Sequence, residues 1–369
     1  MSDDALVLKE SFARVEHVAE KVAAFFYARL FVENPHLRDL FPVVMDVQRS
    51  RLLGALVRVV QGLDSPVLLE QYLGELGHDH RKFGVRPEDY AAVGRALVAA
   101  LREYSGADWT QEAEDAWVTR YGAVAEQMIA GAESAAGTPP WWWAEVVEHE
   151  RPARDIALIT VRPDGPYPYR AGQYLSMETP RRARLWRTYS IASAPRPDNL
   201  LTFHVRAVPG GWVSGALVCA TAPGDVLRLG PPAGSMRVEP GAGRDLVLIA
   251  GGTGLAPLKA IVEEMTEWNR RRSVRLFFGA RRAEELYEMS WLCRLSGRHP
   301  WLTVVGAVSQ DREYPGRRGR ISDVAADYLP WHDHDILVSG SPAMIRATLG
   351  RLRARRVPMG RIRYDPFDG

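Results

Sequence analysis

The spacing of apolar residues changes character twice along the chain. Over residues 4–134 they recur every three or four positions, as in helices that each bury one face. The clearest run is "SPVLLEQYLGELGHDHRKFG", residues 65–84. Ser65 and Pro66 supply an N-cap and a first-turn proline, and Leu69, Tyr72, Leu73, Leu76 and His80 then fall on one face. Arg81 and Lys82 followed by Gly84 make an ordinary helix end. Further helices are predicted from about Pro87 and from Asp108–Thr110, the second running through Trp117, Tyr121, Val124 and Met128. Several helices with no strand between them predict an all-α domain over 1–134.

"AAGTPPWWW", residues 135–143, breaks that pattern with proline, glycine and tryptophan, and reads as a linker whose aromatics dock on a neighbouring domain. Over 144–242 the pattern shortens to β-type runs ("AEVVEHE", "DIALITVR", "YLSMET", "LLTFHVRAV", "DVLRLG") separated by Gly/Pro turns, which predicts a small antiparallel β-barrel. From 243 to 369 apolar strands alternate with helical segments, the pattern of an α/β domain with a parallel sheet.

Composition narrows the class. The 369 residues are 46% hydrophobic and 25% charged, ordinary for a globular protein, and a net charge of +2 is too small for a nucleic-acid partner. The Arg-rich stretches 270–282 and 351–363 therefore read as solvated helix faces. Two cysteines, Cys219 and Cys293, exclude a disulfide framework, a cysteine zinc site and a four-thiolate iron–sulfur cluster. No apolar run approaches the length of a membrane span and the N-terminus has no signal-peptide pattern, so a cytoplasmic protein is expected; a monomer is the expected state, though nothing in the sequence fixes it.

Short motifs follow the linker in fixed order. "YRAGQY" (169–174) and "RTYS" (187–190) lie on or beside barrel strands, where an Arg can hold a pyrophosphate oxygen and a Tyr ring can pack on a flat ring system. In "VRAVPGGWVSGAL" (205–217), Gly210 and Gly211 let main-chain amides approach a phosphate ahead of a helix start at Ser214. "AGGTGLAP" (250–257) joins a strand to a helix, and "SGSP" (339–342) ends another strand at the carboxyl edge of the same sheet. Any one of these fits an ordinary turn; the order and spacing of the set are what is specific.

That series resembles the ferredoxin-NADP reductase superfamily over roughly 144–369. The terminal "IRYDPFDG" (362–369) is similar to the end of flavohaemoglobins, which fuse such a reductase to a globin. The resemblance implies FAD contacts from Tyr169, Arg170, Gln173, Tyr174, Arg187, Thr188, Tyr189, Ser190, Arg206, Gly210, Gly211, Val213 and Ser214. Asp365 and Phe367 then lie near the flavin ring. It implies a nicotinamide dinucleotide held by Gly252, Thr253, Gly254, Leu255, Ala256 and Pro257, with Ser339 close by.

In the helical half, "AFFYARLFVENPHLRDLF" (24–41) resembles the B helix and CD corner of these globins, and "QRSRLLGAL" (48–56) the E helix. This implies Tyr27, Gln48 and Leu52 in the distal pocket and Phe41 against haem b. Residues two apart on a helix point about 200° apart, so only one of His78 and His80 can face inward. His80 continues the apolar stripe, whereas His78 falls with Gly74 and Glu75. The resemblance then makes His80 the proximal iron ligand, with Tyr90 orienting it and Glu133 the nearest match to a third family position. Asp79 stands where the family commonly has Lys, Ser339 where it has Cys, and Asp365 where it has Glu.

The function implied is an NAD(P)H-dependent nitric oxide dioxygenase: hydride to FAD, single electrons to haem, nitric oxide and dioxygen to nitrate. Two other readings remain at this level. One is a haem-based gas sensor whose reductase keeps iron ferrous; the other is a flavin-dependent NAD(P)H reductase with another acceptor. Arg281 and Arg282 fall near where a ribose 2′-phosphate would lie, which leaves NADH against NADPH open.

Overall fold

The computed structural model describes residues 3–241, 243–327 and 333–365. The chain divides into two compact units, Met1–Pro140 and Trp141–Gly369.

The first unit is helical: α1 (Asp3–Glu16), α2 (Ala19–Glu33), α3 (Asp46–Gly62), α4 (Pro66–His80), α5 (Asp89–Ser105) and α6 (Gln111–Ser134). Its core gathers Leu8, Phe26, Leu30, Leu97, Leu101 and Trp117. The indole of Trp117 is satisfied by donating to Ser11 Oγ at 2.9 Å. Pro66 occupies the first turn of α4, although Ser65 makes no side-chain cap bond. Gly84 (φ 77°) ends the short turn after α4 in the left-handed region. Helix α5 starts at Asp89, two residues beyond the expected Pro87, because Pro87 and Glu88 form a turn. Thr110 caps α6 by accepting from the Ala113 amide.

Helices α4 and α6 touch main chain to main chain. A Cβ on Gly77 would fall 1.9 Å from the Met128 carbonyl oxygen, and one on Gly131 would fall 2.3 Å from that of Gly74. Side chains normally hold helix axes about 8–10 Å apart. Glycine at the crossing removes that spacer and brings the last turns of the two helices, with His80 and Glu133, to one cleft.

The second unit opens with a six-stranded antiparallel sheet: β1 (Trp142–Ala153), β2 (Ile156–Pro163), β3 (Tyr174–Glu178), β4 (Arg187–Ser190), β5 (Leu201–Arg206) and β6 (Val226–Leu229), with α7 (Trp212–Cys219) between the last two. The order is β4-β3-β6-β1-β2-β5, and an isolated bridge between Ile191 and Phe203 joins its two edges into a barrel. Strand β1 takes in Trp142 and Trp143 from the segment read as linker. Trp142 pairs with Leu229 and is buried in the barrel, while Trp143 alternates outward.

The remainder is β7 (Asp245–Gly251), α8 (Leu255–Trp268), β8 (Val274–Ala280), α9 (Met289–Arg298), β9 (Leu302–Val308), β10 (Arg317–Arg318), α10 (Ile321–Ala326), β11 (His334–Ser339), α11 (Pro342–Ala354) and β12 (Ile362–Arg363). These strands form a parallel sheet in the order β10-β9-β8-β7-β11-β12. The winding reverses between β7 and β11, and the carboxyl ends of strands at such a reversal are where doubly wound sheets bind ligands.

Candidate functional site

In the helical unit, Tyr27 on α2 is buried edge-on against Phe26 and Phe41, with ring centroids 4.8 and 5.5 Å away. Its hydroxyl donates to the main-chain oxygen of Gln48 over a long 3.4 Å, and burial raises the phenol above its ordinary range, so it stays a protonated donor. Gln48 and Leu52 lie one turn apart at the start of α3, both half-buried, and Leu52 packs on the same core.

His80 is the last residue of α4. Its Nδ1 lies 2.8 Å from the Leu76 carbonyl oxygen, which can only accept, so Nδ1 carries the proton. Burial lowers the imidazole below its ordinary range and keeps it neutral, leaving the Nε2 lone pair free. Among the described residues Nε2 has no hydrogen-bond partner. His80 shares a cleft of about 280 Å³ with Gly77, Arg81, Tyr90, Glu133 and Ala136. No hydrogen bond links His80, Tyr90 and Glu133 among the described residues; the phenol of Tyr90 is raised by burial, and its carbonyl accepts from Tyr121 at 2.9 Å.

The opposite face of α4 is not a solvent face, because Gly74 abuts Gly131 there. His78 on that face is half-buried, with an Nε2 that lacks a hydrogen-bond partner among the described residues and a pKa lowered by burial. Burial alone therefore does not separate the two histidines; the Leu76 bond and the shared cleft do. Asp79 pairs with Lys82, which is itself buried, so a lysine stands three residues beyond the position where sequence comparison expected one.

On the barrel, β3 and β4 pair Tyr174 with Ser190, Ser176 with Thr188 and Met177 with Arg187. Arg187 is half-exposed and donates to the Trp186 carbonyl, Thr188 is exposed, and the Tyr189 ring packs on the barrel core. Tyr169 commits its hydroxyl to the Ala194 carbonyl at 2.7 Å, while Gln173 Oε1 caps the Arg170 amide at 2.8 Å. Gly210 turns with φ 71°, Gly211 caps α7 and Val213 is buried behind it. Ser214 Oγ is taken up inside this loop, accepting from the Val208 amide and donating to the Gly211 carbonyl.

Asp365 comes to the same barrel from the far end of the chain. A Cβ on Gly234 would lie 2.8 Å from the Tyr174 ring and 3.5 Å from Asp365 Oδ2. Asp365 is buried, its Oδ2 has no hydrogen-bond partner among the described residues, and burial pushes the carboxyl up to about 6. An unsatisfied buried acceptor beside an aromatic ring fits a site for a flat, hydrogen-bonding ring such as flavin. Phe367 lies outside the described residues.

At the sheet reversal, Gly252–Gly254 form a tight turn into α8, where Leu255, Ala256 and Pro257 are buried and Thr253 is half-buried. Gly254 packs on the end of β11: a Cβ there would lie 2.4 Å from the oxygen of buried Ser339. Arg206 on β5 approaches Gly252 while its guanidinium holds Asp155 at 3.0 Å and Glu285 at 2.9 Å. Arg281 is held by the same two carboxylates, whereas Arg282 lines an open cleft with Gln310, Asp311, Arg312 and Glu313. The ion pairs of Arg206, the Leu76 acceptor and the glycine crossing escaped sequence reasoning.

Family models match in the same order: "Globin" at residues 24–128, "Oxidoreductase FAD-binding domain" at 144–238 and "Oxidoreductase NAD-binding domain" at 248–349. The flavohemoprotein of Bordetella pertussis is 32% identical over 299 residues, which cover 76% of this chain and 74% of that one. The chain belongs to the flavohaemoprotein family. As a flavohaemoprotein it is an NAD(P)H-dependent oxidoreductase whose cofactors are haem, FAD and a nicotinamide dinucleotide, with electrons passing from dinucleotide through flavin to haem.

In fold it is similar to the crystal structure of flavohemoglobin from Malassezia yamatoensis with bound FAD and heme (TM-score 0.82, 18% identity, 99% of this chain and 98% of that one). The second unit is similar in fold to the FAD/NAD-binding domain of nitric oxide dioxygenase from Vibrio cholerae (TM-score 0.55, 23% identity, 61% of this chain and 98% of that one). No helix among the described residues is long and apolar enough to cross a membrane.

Proposed function

We propose that this flavohaemoprotein is a nitric oxide dioxygenase, with its haem domain at 1–134, FAD domain at 144–242 and NAD(P) domain at 243–369. The observation that carries the reading is His80: a neutral imidazole with Nδ1 committed to Leu76 and a free Nε2, in one cleft with Tyr90 and Glu133. When bound, haem supplies the iron at which dioxygen and nitric oxide combine, and FAD converts a hydride from NAD(P)H into single electrons.

The chain's own residues do the rest. The Leu76 bond fixes the His80 ring and makes Nε2 a better donor to iron. Tyr27, protonated and only loosely tied to Gln48, can turn its hydroxyl to a small ligand carrying partial negative charge. Its apolar neighbours Phe26, Phe31 and Phe41 keep bulk water from that hydroxyl. Arg187 and Ser190 would hold the flavin pyrophosphate, with Tyr174 and Asp365 beside them to receive the flavin ring. The main-chain amides of Gly252–Gly254 and the N-terminus of α8 would receive the dinucleotide pyrophosphate.

The test supplies the purified protein with dioxygen, nitric oxide and either NADH or NADPH, and measures nitrate. Stoichiometric nitrate supports the reading. Haem and flavin bands together with reduction of an added acceptor, but no nitrate, would reassign the chain to a reductase for a different acceptor.

A further inference from the structure

Strand β5 points Phe203 and Val205 into the barrel core and His204 and Arg206 the other way, toward α8 and α9. His204 is buried, with Nδ1 3.0 Å from the Tyr287 hydroxyl; its Nε2 makes no hydrogen bond among the described residues and lies 3.6 Å from a Glu288 carboxylate oxygen. Glu288 lies 3.8 Å from Lys259 Nζ, which is 3.0 Å from Glu263 and beneath the Trp291 ring. Glu263 returns to the barrel by accepting from the Ala194 amide at 2.9 Å. The contacts thus run from β5 through residues 287–288 to α8 and back to the barrel main chain.

Burial holds His204 well below the usual imidazole range and Glu288 above the usual carboxylate range. A buried polar cluster of this kind stabilises less than apolar side chains of equal volume would. What it adds is a single geometry, since each partner is costly to leave unpaired. Lys259 stands one turn after Leu255, where α8 leaves the Gly252–Gly254 loop.

We propose that His204, Tyr287, Glu288, Lys259 and Glu263 form a clasp of positioning residues that sets the first turn of α8 and its glycine loop against the barrel for hydride transfer. None of the five is among the residues assigned above to the flavin or the dinucleotide. It rests on the assignment of that loop to NAD(P)H. Hydride transfer needs reacting atoms about 3–3.5 Å apart, and a misplacement of about 1 Å can slow it about a hundredfold. A loosened clasp therefore weakens the rate far more than the affinity.

The test uses the full-length holoprotein and its Tyr287→Phe, Lys259→Met and Lys259→Arg variants, mixed anaerobically with NADH or NADPH. Flavin bleaching gives the limiting reduction rate and dinucleotide affinity, and long-wavelength absorbance reports stacking of reduced nicotinamide on oxidised flavin. Tyr287→Phe and Lys259→Met are expected to lower the limiting rate by roughly ten- to hundredfold. The stacking band should weaken with it, affinity should change less than threefold, FAD content should be unchanged, and Lys259→Arg should recover most of the rate. A wild-type rate and band in Tyr287→Phe would overturn the clasp, as would a loss of rate that only tracks lost FAD or lost thermal stability. A wild-type flavin reduced by neither dinucleotide would instead overturn the reductase reading, and the clasp with it.

Discussion

His80 and His78 sit two residues apart on α4, both half-buried and both lowered by burial, yet they are not equivalent. Only His80 has Nδ1 tied to a carbonyl and a place in the cleft with Tyr90 and Glu133. His80→Ala is expected to abolish haem retention and His78→Ala to leave it near wild type, read from the Soret absorbance per protein, with FAD content unchanged in both. Equal haem in wild type and His80→Ala would sink the ligand assignment. Tyr27 gives a second residue-scale test. A hydrogen bond to a partly charged ligand in a dry pocket contributes about 1.5–3 kcal/mol. At 1.4 kcal/mol per decade, Tyr27→Phe should speed dioxygen dissociation from the reduced protein by roughly ten- to hundredfold. A stopped-flow off-rate within about twofold of wild type would make Tyr27 a packing residue. The His80 stripe and the Tyr27 segment were legible in sequence, one from periodicity and one from resemblance. The Leu76 acceptor was not, because a carbonyl oxygen belongs to every residue and no letter of the sequence marks the one that is used.

Helix α6 carries Gly122 and Gly131, which look alike in sequence and differ in structure. A Cβ at Gly131 would strike the Gly74 carbonyl, whereas one at Gly122 meets nothing within 4 Å. Gly122→Ala should therefore stabilise the helical unit by about 0.5–1 kcal/mol through helix propensity alone. Gly131→Ala and Gly77→Ala should destabilise it by about 1–3 kcal/mol, because α4 and α6 must move apart. The same movement should loosen haem by drawing His80 from Glu133. Urea unfolding of each variant by circular dichroism, with haem release alongside, checks both signs; a stabilising Gly77→Ala would mean the crossing is slack. The helices, the strands and their order were readable from hydrophobic period, since each element reports its own buried face. Which helices cross without a side-chain spacer is a pairwise property. The sequence grouped Gly74 with His78 and Glu75, off the apolar stripe, and gave no sign of what packs there. Trp142 shows the same limit from the other side: its neighbours Trp141 and Trp143 and two prolines suggested a linker, and only the ladder to β6 makes it a strand residue.

At the scale of the whole chain, the succession of helical, barrel and parallel-sheet segments was plain from changes in pattern. The return of the C-terminal segment to the barrel was visible only through resemblance. After β12, Asp365 comes to rest by Gly234 and Tyr174, more than a hundred residues back along the chain, and nothing local to "RYDP" specifies that contact. Burial there leaves a mark that can be titrated. Asp365 has its carboxyl raised from an ordinary value of 3.8 to about 6, with burial as the cause and no compensating partner among the described residues. In the folded protein the proton is therefore held more tightly than in the unfolded chain. Below about pH 3.8 both states are protonated and the group costs nothing. As pH rises from there to about 6, only the unfolded chain releases the proton, so stability falls. Above about 6 both are ionised and the cost levels off, at most about 3 kcal/mol for a shift of about two units. Asp365→Asn cannot ionise, so its stability relative to wild type should climb between pH 4 and 6 and stay flat on either side. The amide adds its own hydrogen-bonding preferences, but these shift the difference by a constant and leave its slope alone. Denaturant unfolding of holoprotein followed by flavin fluorescence, in parallel for wild type and variant across pH 3.5–7.5, measures that difference. A difference independent of pH would show that folding does not raise the Asp365 carboxyl, which would then be solvated or paired in solution.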